Sequence, residues 1–326
     1  MELVYYIGLT VLSISFSLRR DAISSKHVFF MVWIVAYIAL AVVVRKNFDA
    51  DINTYASAMS YNSMSIYYLR EPVVWLGQRY LFSWLQDPFY VFIVTDLLAG
   101  ILLFHTLKNF CLPQYAFFSI LIFFPFVLGM QNVYRQWIAT IIFLYCFSLI
   151  WNQIGKVKRY TTFLFAVMSH NVSAIFVPLL FIRKSKVIGK LMWYGSFLVA
   201  ILGIWLGADT KSSRSTGIDL SLAYLFLFTF FISLVPFLDR GVFRNVRKLD
   251  YKLLGSLFVL SSLSIAFLSS AAAERVSMFC LLVAYPILVL LFEERFKQKF
   301  LIRALFSLLG FIPMLLFNVS KFIIGA

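Results

Sequence analysis

Charged residues are scarce in this sequence. They make up 13% of its 326 positions, and only 14 of them are acidic. A soluble domain carries about 25% charged residues, because most of its surface contacts water. The polar stretches between the apolar runs are also too short to fold as separate domains. These features exclude a soluble enzyme, and we predict a single domain over residues 1–326.

Cysteine and histidine are also rare, with three residues of each type. Cys111, Cys146 and Cys280 form no C-x-x-C pair and lie in or beside apolar runs, which is typical of thiols packed in a core. Their spacing gives neither a disulfide framework nor a zinc site. We therefore expect no metal centre and no cofactor.

Hydrophobic residues, by contrast, fill 62% of the sequence. Backbone groups in hydrocarbon must find partners within their own segment, so long apolar runs in a membrane form helices. With roughly twenty residues needed for each crossing, the sequence predicts an all-α, polytopic integral membrane protein with about ten transmembrane helices. The predicted spans are 3–18, 28–44, 88–107, 113–130, 137–151, 191–207, 220–238, 253–270, 275–292 and 304–318.

Positive charge lies mostly on one side of these predicted helices. Six loops hold 20 of the 29 lysines and arginines, and loops rich in these residues stay in the cytoplasm. The net charge of +15 therefore indicates membrane orientation rather than nucleic-acid binding. Both termini and the remaining nine cations are then expected on the outer face. The six basic loops are 19–27, 108–112, 152–159, 183–190, 239–252 and 293–303.

Two apolar segments do not fit as ordinary spans. Residues 72–86 are short and contain Gln78 and Arg79. Residues 160–182 are long enough to cross once, yet the basic loops on both sides favour the cytoplasm. We interpret both segments as re-entrant or partial helices, the second bent near His170. The alternative for 160–182 is an ordinary span.

Four arginines are predicted at or near the outer ends of spans: Arg45, Arg79, Arg135 and Arg275. Arg135 and Arg275 each fall in a very short predicted turn. Ionisable residues at membrane depth are costly, which makes these positions candidates for a functional site. Because a guanidinium matches phosphate oxygens with two parallel hydrogen bonds, the four are candidate ligands of a pyrophosphate. Contacts to lipid headgroups and ion pairs between helices are the alternatives.

The outer loop 45–72 and the turn before Arg135 are rich in polar and tyrosine side chains. Such side chains suit carbohydrate, although tyrosine is also common in the aromatic belt of any membrane protein. His170, Asp51 and Glu71 are candidates for acid–base work on a sugar hydroxyl. The candidate sugar contacts are Asp49, Tyr55, Gln131, Asn132, Tyr134 and Gln136.

Five polar motifs occur in a fixed order along the chain. They are Asp51 with Tyr55, Glu71-Pro72, Arg135-Gln136 with Ala139, His170 with Ser173-Ala174, and Arg275. In this order they resemble the EpsG family of Wzy-type polysaccharide polymerases. The resemblance covers roughly residues 40–290.

The resemblance implies an O-antigen-like polymerase in a bacterial cytoplasmic (inner) membrane, related to the lipid-phosphate-dependent membrane glycosyltransferases. Such enzymes transfer the growing glycan from undecaprenyl pyrophosphate to a hydroxyl of a second undecaprenyl-pyrophosphate-linked repeat unit, on the periplasmic face. They use no nucleotide sugar and no metal. The expected partners are these lipid-linked oligosaccharides, membrane lipid and a chain-length regulator protein, with no nucleic acid.

The chemistry that the resemblance implies suggests roles for the candidate residues, because a leaving pyrophosphate needs cations and an attacking hydroxyl needs a base. Arg135 and Arg275, helped by Arg45 and Arg79, would bind the pyrophosphate. His170 would be the base or a phosphate contact, Asp51 the base or an acceptor contact, and Glu71 would orient an arginine. The alternative functions are a glycan ligase or O-acyl modifier of the same compartment, and a transporter or flippase of lipid-linked oligosaccharide.

Overall fold

The computed structural model describes residues 2–45, 50–60, 66–183, 186–207, 220–238, 248–295 and 298–316. Within these ranges the protein is all-helical, without a strand, as the sequence predicts. The helices are α1 (Glu2–Ser17), α2 (Lys26–Arg45), α3 (Ala50–Ser60), α4 (Pro72–Leu85), α5 (Pro88–Asn109), α6 (Gln114–Ile122), α7 (Phe124–Asn132), α8 (Tyr134–Trp151), α9 (Lys156–Ser169), α10 (Val187–Gly207), α11 (Ser221–Leu238), α12 (Lys248–Phe267), α13 (Ser270–Arg295) and α14 (Lys299–Leu316). Two 3-10 helices, η1 (Ile66–Arg70) and η2 (Asn171–Phe181), complete the set.

Among the described residues, six helices are long and apolar enough to cross a membrane. They lie within α2, α5, α8, α10, α12 and α13, and the bent pair α6–α7 makes a seventh if it is one span. A polytopic membrane protein is therefore confirmed, but the described residues support fewer spans than the ten predicted. In α1 and α11 the apolar stretches Leu3–Ser17 and Ser221–Ser233 are shorter than a full crossing.

The predicted span 113–130 is broken near its middle. Its two halves, α6 and α7, meet at Phe123 with a bend of 50°. Phe123 has extended backbone angles, and Pro125 stands at the start of α7. In a continuous helix the Pro125 ring would collide with the carbonyl of Leu121, so the chain bends here.

Residues 156–183 fold back on themselves as a hairpin. Helix α9 ends at Ser169, His170 is extended, and η2 begins at Asn171. One residue from each arm, Phe163 and Phe176, packs on the same ring of α8, and the guanidinium of Arg183 donates to the Trp151 carbonyl at the end of α8. With 14 and 11 residues, the arms are about 21 and 22 Å long, shorter than a hydrocarbon core of about 30 Å.

The other unusual segment, 72–86, contains one uninterrupted helix. Helix α4 has 14 residues, so it is about 21 Å long and does not cross a membrane alone. Gln78 in its middle is buried at 3% exposure. The segment is therefore a partial helix packed against protein.

Two predicted turns are largely helical instead. Only Val133 separates α7 from α8, so Arg135 is the second residue of α8. Helix α13 begins at Ser270, five residues before Arg275. The small residues Ala271–Ala273 explain the second difference, because alanine has the highest helix propensity and extends the helix beyond its apolar run.

Helices α2 and α5 approach closely at Gly100. A Cβ atom there would lie 2.5 Å from Cε1 of Tyr37, whose buried ring stacks on Trp33 and has no room to move. We expect Gly100→Ala to destabilise the protein by about 1–3 kcal/mol. Gly203→Ala is the matched control: it has no atom within 4 Å of the added methyl and gains up to about 1 kcal/mol in helix propensity. Thermal unfolding in detergent measures both, and equal midpoints would refute the tight contact.

Candidate functional site

A pocket of about 210 Å³ lies where α3, α4, α8, α13 and the tip of the 156–183 hairpin meet. It brings together five of the predicted site residues from separate parts of the chain. With Glu71, which contacts two of them, these make a polar cluster. The residues that line the pocket are Thr54, Tyr55, Trp75, Val133, Arg135, Gln136, His170 and Arg275.

Glu71 connects two cationic or protonatable side chains. Its Oε2 atom forms an ion pair with Nη1 of Arg135, and its Oε1 atom lies 3.6 Å from Nε2 of His170. Glu71 precedes α4, with Pro72 as the first helical residue, so the carboxylate is held at a rigid helix start. Glu71 and His170 are each 6% exposed, and the cluster is therefore largely shielded from bulk water.

His170 has a defined orientation. Its Nδ1 atom accepts a hydrogen bond from the backbone N–H of Val172 at 3.2 Å and so caps η2. A ring nitrogen that accepts carries no proton, so the neutral imidazole has its proton on Nε2, facing Glu71. In this state His170 donates at Nε2. Of its two predicted roles, the geometry favours contact with a phosphate oxygen over abstraction of a proton.

The guanidinium of Arg135 lies between aromatic rings. Its Cζ atom is 4.8 Å from the ring centroid of Trp75 and 5.3 Å from that of Tyr55. Cation–π contacts and the Glu71 ion pair act on the same group, so its position is set before any ligand binds. Trp75 is only 5% exposed, and its ring also packs against that of Tyr55.

Gln136 and Arg275 link α8 to α13. Nε2 of Gln136 donates to the backbone carbonyl of Arg275 at 2.6 Å, and Oε1 of Gln136 has no hydrogen-bond partner among the described residues. The side chain of Arg275 forms no ion pair within the same part of the chain. Its charge is therefore available to an anion in the pocket.

The amino end of α8 also faces this region. Val133 precedes the helix and provides no side-chain cap, yet it lines the pocket. A helix start carries unpaired N–H groups and the positive end of the helix dipole, both of which favour an anion.

Arg45 does not reach the pocket. Its Nε and Nη2 atoms bind Asp96 at 2.9 and 3.3 Å, and both side chains are 0% exposed. Tyr134 also points away from the pocket and donates from its hydroxyl to Asp96 at 2.9 Å. Arg45 and Tyr134 were predicted to contact the ligand. In the structure both bind Asp96 of α5 instead, because this carboxylate lies within their reach.

Three other predicted residues, Arg79, Gln131 and Asn132, also lie outside the lining. Arg79 donates to the Ala58 carbonyl at 3.1 Å and lies 4.0 Å from the Tyr68 ring centroid. Gln131 and Asn132 end α7 without lining the pocket. Asp49 lies outside the described residues, and the side chain of Asp51, a residue of α3, is also outside them.

Sequence reasoning missed Thr54, Trp75 and Val133 as pocket residues. Trp75 stands four residues after Glu71, and helical spacing places such pairs on one face, so this residue was within reach of prediction. Val133 is apolar and has no distinguishing signal. The described residues contain no group of three histidine, cysteine, aspartate or glutamate side chains arranged to hold a metal.

Comparison with known proteins supports the family that the order of the motifs suggests. The model of the EpsG family matches residues 28–324, nearly the whole chain. No curated protein and no solved structure gives a match. The family is associated with membrane polysaccharide polymerases of the glycosyltransferase type. This chain, an all-helical membrane protein with a cation-lined pocket, belongs to the EpsG family.

Proposed function

We propose that the protein polymerises a polysaccharide by transferring a growing glycan from undecaprenyl pyrophosphate to a second lipid-linked repeat unit. The observation that carries this proposal is the meeting of Glu71, Arg135, His170 and Arg275, from four separate elements, at one pocket. We place this pocket on the periplasmic face of a bacterial cytoplasmic membrane, because the basic loops indicate the opposite face as cytoplasmic.

The charges of the cluster suit a pyrophosphate. Among the described side chains, the pocket is lined by two guanidiniums, those of Arg135 and Arg275, and only Arg135 is paired with a carboxylate, that of Glu71. Charge-assisted hydrogen bonds from Arg275, Arg135 and the Nε2 proton of His170 would each reach a phosphate oxygen. The small volume fits the reacting groups, with the lipid tails and the rest of the glycan outside it.

The reaction breaks the bond between the anomeric carbon and a phosphate oxygen. The bonding electron pair leaves with undecaprenyl pyrophosphate, whose negative charge increases. Cations fixed at that oxygen stabilise this charge more in the transition state than in the ground state, and thereby accelerate the step.

The acceptor hydroxyl oxygen forms the new bond to the anomeric carbon and gives its proton to a base. From the sequence we assign this base to Asp51, the candidate carboxylate that stands four residues before the pocket residue Tyr55. Glu71 is less suited because it already contacts Arg135 and His170. The free Oε1 of Gln136 would accept a hydrogen bond from a sugar hydroxyl.

The direct test uses purified full-length protein and one substrate, the synthetic undecaprenyl-pyrophosphate-linked repeat unit of the source organism. We expect a ladder of products on a gel, formed without nucleotide sugar or added metal. Arg70→Ala should leave the ladder intact, because Arg70 is exposed and does not line the pocket. Folded protein that makes no ladder from this substrate would refute the polymerase proposal.

A further inference from the structure

The Arg45–Asp96 pair lies directly behind the pocket. Besides the two contacts to Asp96, Nη1 of Arg45 donates to the Met130 carbonyl at 2.8 Å, and its Cζ atom lies 4.4 Å from the ring centroid of Tyr134. The network thus ties the end of α2 to the middle of α5, the last turn of α7 and the first residue of α8.

Stability alone does not account for this buried network. Burying two charges costs nearly as much as their attraction returns, so well-packed apolar residues would stabilise the fold equally well. A network of directional bonds differs from apolar packing in one respect, since it fixes the relative positions and angles of the groups that it joins.

The groups fixed here adjoin the pocket. Tyr134, bound to Asp96, is followed at once by Arg135 and Gln136, which line the pocket. The Tyr134 ring also lies 6.5 Å from the ring of Tyr55, which is itself a contact of Arg135. A shift of Tyr134 would therefore move the Arg135 guanidinium relative to Glu71.

We propose that Arg45, Asp96 and Tyr134 are positioning residues that hold the first turn of α8, and hence Arg135 and Gln136, in the geometry required for glycan transfer. The activity part of this inference rests on the proposed function. The structural part, the immobilisation of α8, does not.

The chain contains a matched control at its other end. Arg303 binds Glu293 through two contacts of 2.6 Å, donates to the Ser17 carbonyl at 3.1 Å and lies 5.4 Å from the Tyr115 ring centroid. This network contains the same kinds of group as the one around Arg45: an arginine, a carboxylate, a backbone carbonyl and a tyrosine ring. Along α13, Glu293 stands 18 residues from the pocket residue Arg275, which is about 27 Å.

The experiment compares Arg45→Lys with Arg303→Lys and adds the milder Tyr134→Phe, which removes only the hydroxyl. Lysine keeps the charge but cannot reproduce the forked contacts, so both lysine variants should lose similar thermal stability. We expect kcat to fall about 100-fold in Arg45→Lys and about tenfold in Tyr134→Phe, with KM changed less than threefold, since small displacements of catalytic groups have effects of this size. Arg303→Lys should stay within about twofold of wild type, because it lies far from the pocket.

Hydrogen exchange gives a readout independent of activity. Amides of residues 137–140, the first in α8 with helical hydrogen bonds, should exchange faster in Arg45→Lys than in Arg303→Lys, because only the first change releases the start of α8. Equal exchange in both variants, or losses of kcat that simply follow thermal stability, would overturn the inference. If wild type makes no ladder, the polymerase proposal fails, and the exchange comparison alone decides whether the network positions α8.

Discussion

Arg135→Ala should reduce polymerisation by at least about 100-fold while the protein remains folded. Removal of one preorganised donor from the site of developing charge typically costs about 10²–10³ in kcat. Here the loss also leaves Glu71 without its guanidinium partner, which adds an unbalanced negative charge near the leaving pyrophosphate. Initial rates of ladder formation, with stability followed by thermal unfolding, measure the effect.

Two further variants define what Arg135 contributes. Arg135→Lys keeps the charge but loses the planar fork and much of the fit between Trp75 and Tyr55, so it should recover only part of the rate. Arg70→Ala removes an exposed arginine next to Glu71 in sequence and should behave as wild type. If Arg135→Ala polymerises at the wild-type rate, the pocket is not the site of transfer.

A pair of substitutions at His170 should separate its two candidate roles. In His170→Asn the side-chain oxygen can still accept from Val172 N–H and cap η2, but no donor reaches the Nε2 position. In His170→Gln the amide nitrogen comes near that position, while the cap is lost at a cost of about 1 kcal/mol. If His170 donates to phosphate, we expect the Asn variant to lose about 100-fold in kcat/KM and the Gln variant to retain clearly more.

Equal losses in the two variants would instead identify His170 as the general base. Neither amide accepts a proton at neutral pH, so a general base at this position predicts equal losses, of about 10²–10⁴, in both variants. Rates at several pH values, with thermal midpoints for both proteins, separate a chemical loss from a folding loss. A Gln variant as inactive as the Asn variant would overturn the donor assignment.

Much of the architecture follows from the sequence because the membrane imposes strong constraints. Helical structure follows from the need to satisfy backbone groups in hydrocarbon, and the basic loops flanking 160–182 were enough to predict the bend near His170. The count of about ten spans stays a prediction, because the described residues hold six helices, or seven with the bent pair α6–α7, that are long and apolar enough to cross a membrane. Hydropathy does not register that Pro125 divides one apolar run into two helices.

The candidate site was predictable residue by residue only in part. The motifs predict Glu71, Arg135, His170 and Arg275, which the fold brings to one place. Arg45 shows the limit of such reasoning. Its position at an outer helix end is equivalent in sequence to that of Arg135, but the partner that buries it, Asp96, lies 51 residues away. Only the packing of α2 on α5 decides which arginine is available to a ligand.

The uncapped start of α8 links ligand binding to local folding. Most helices begin with a side chain that accepts from the first backbone N–H groups, and Val133 cannot do so. A phosphate bound beside Arg135 would act as the missing cap. By mass action it would then stabilise the first turn of α8. Under the proposed function this phosphate belongs to the lipid carrier, which would then complete the structure of the enzyme that releases it.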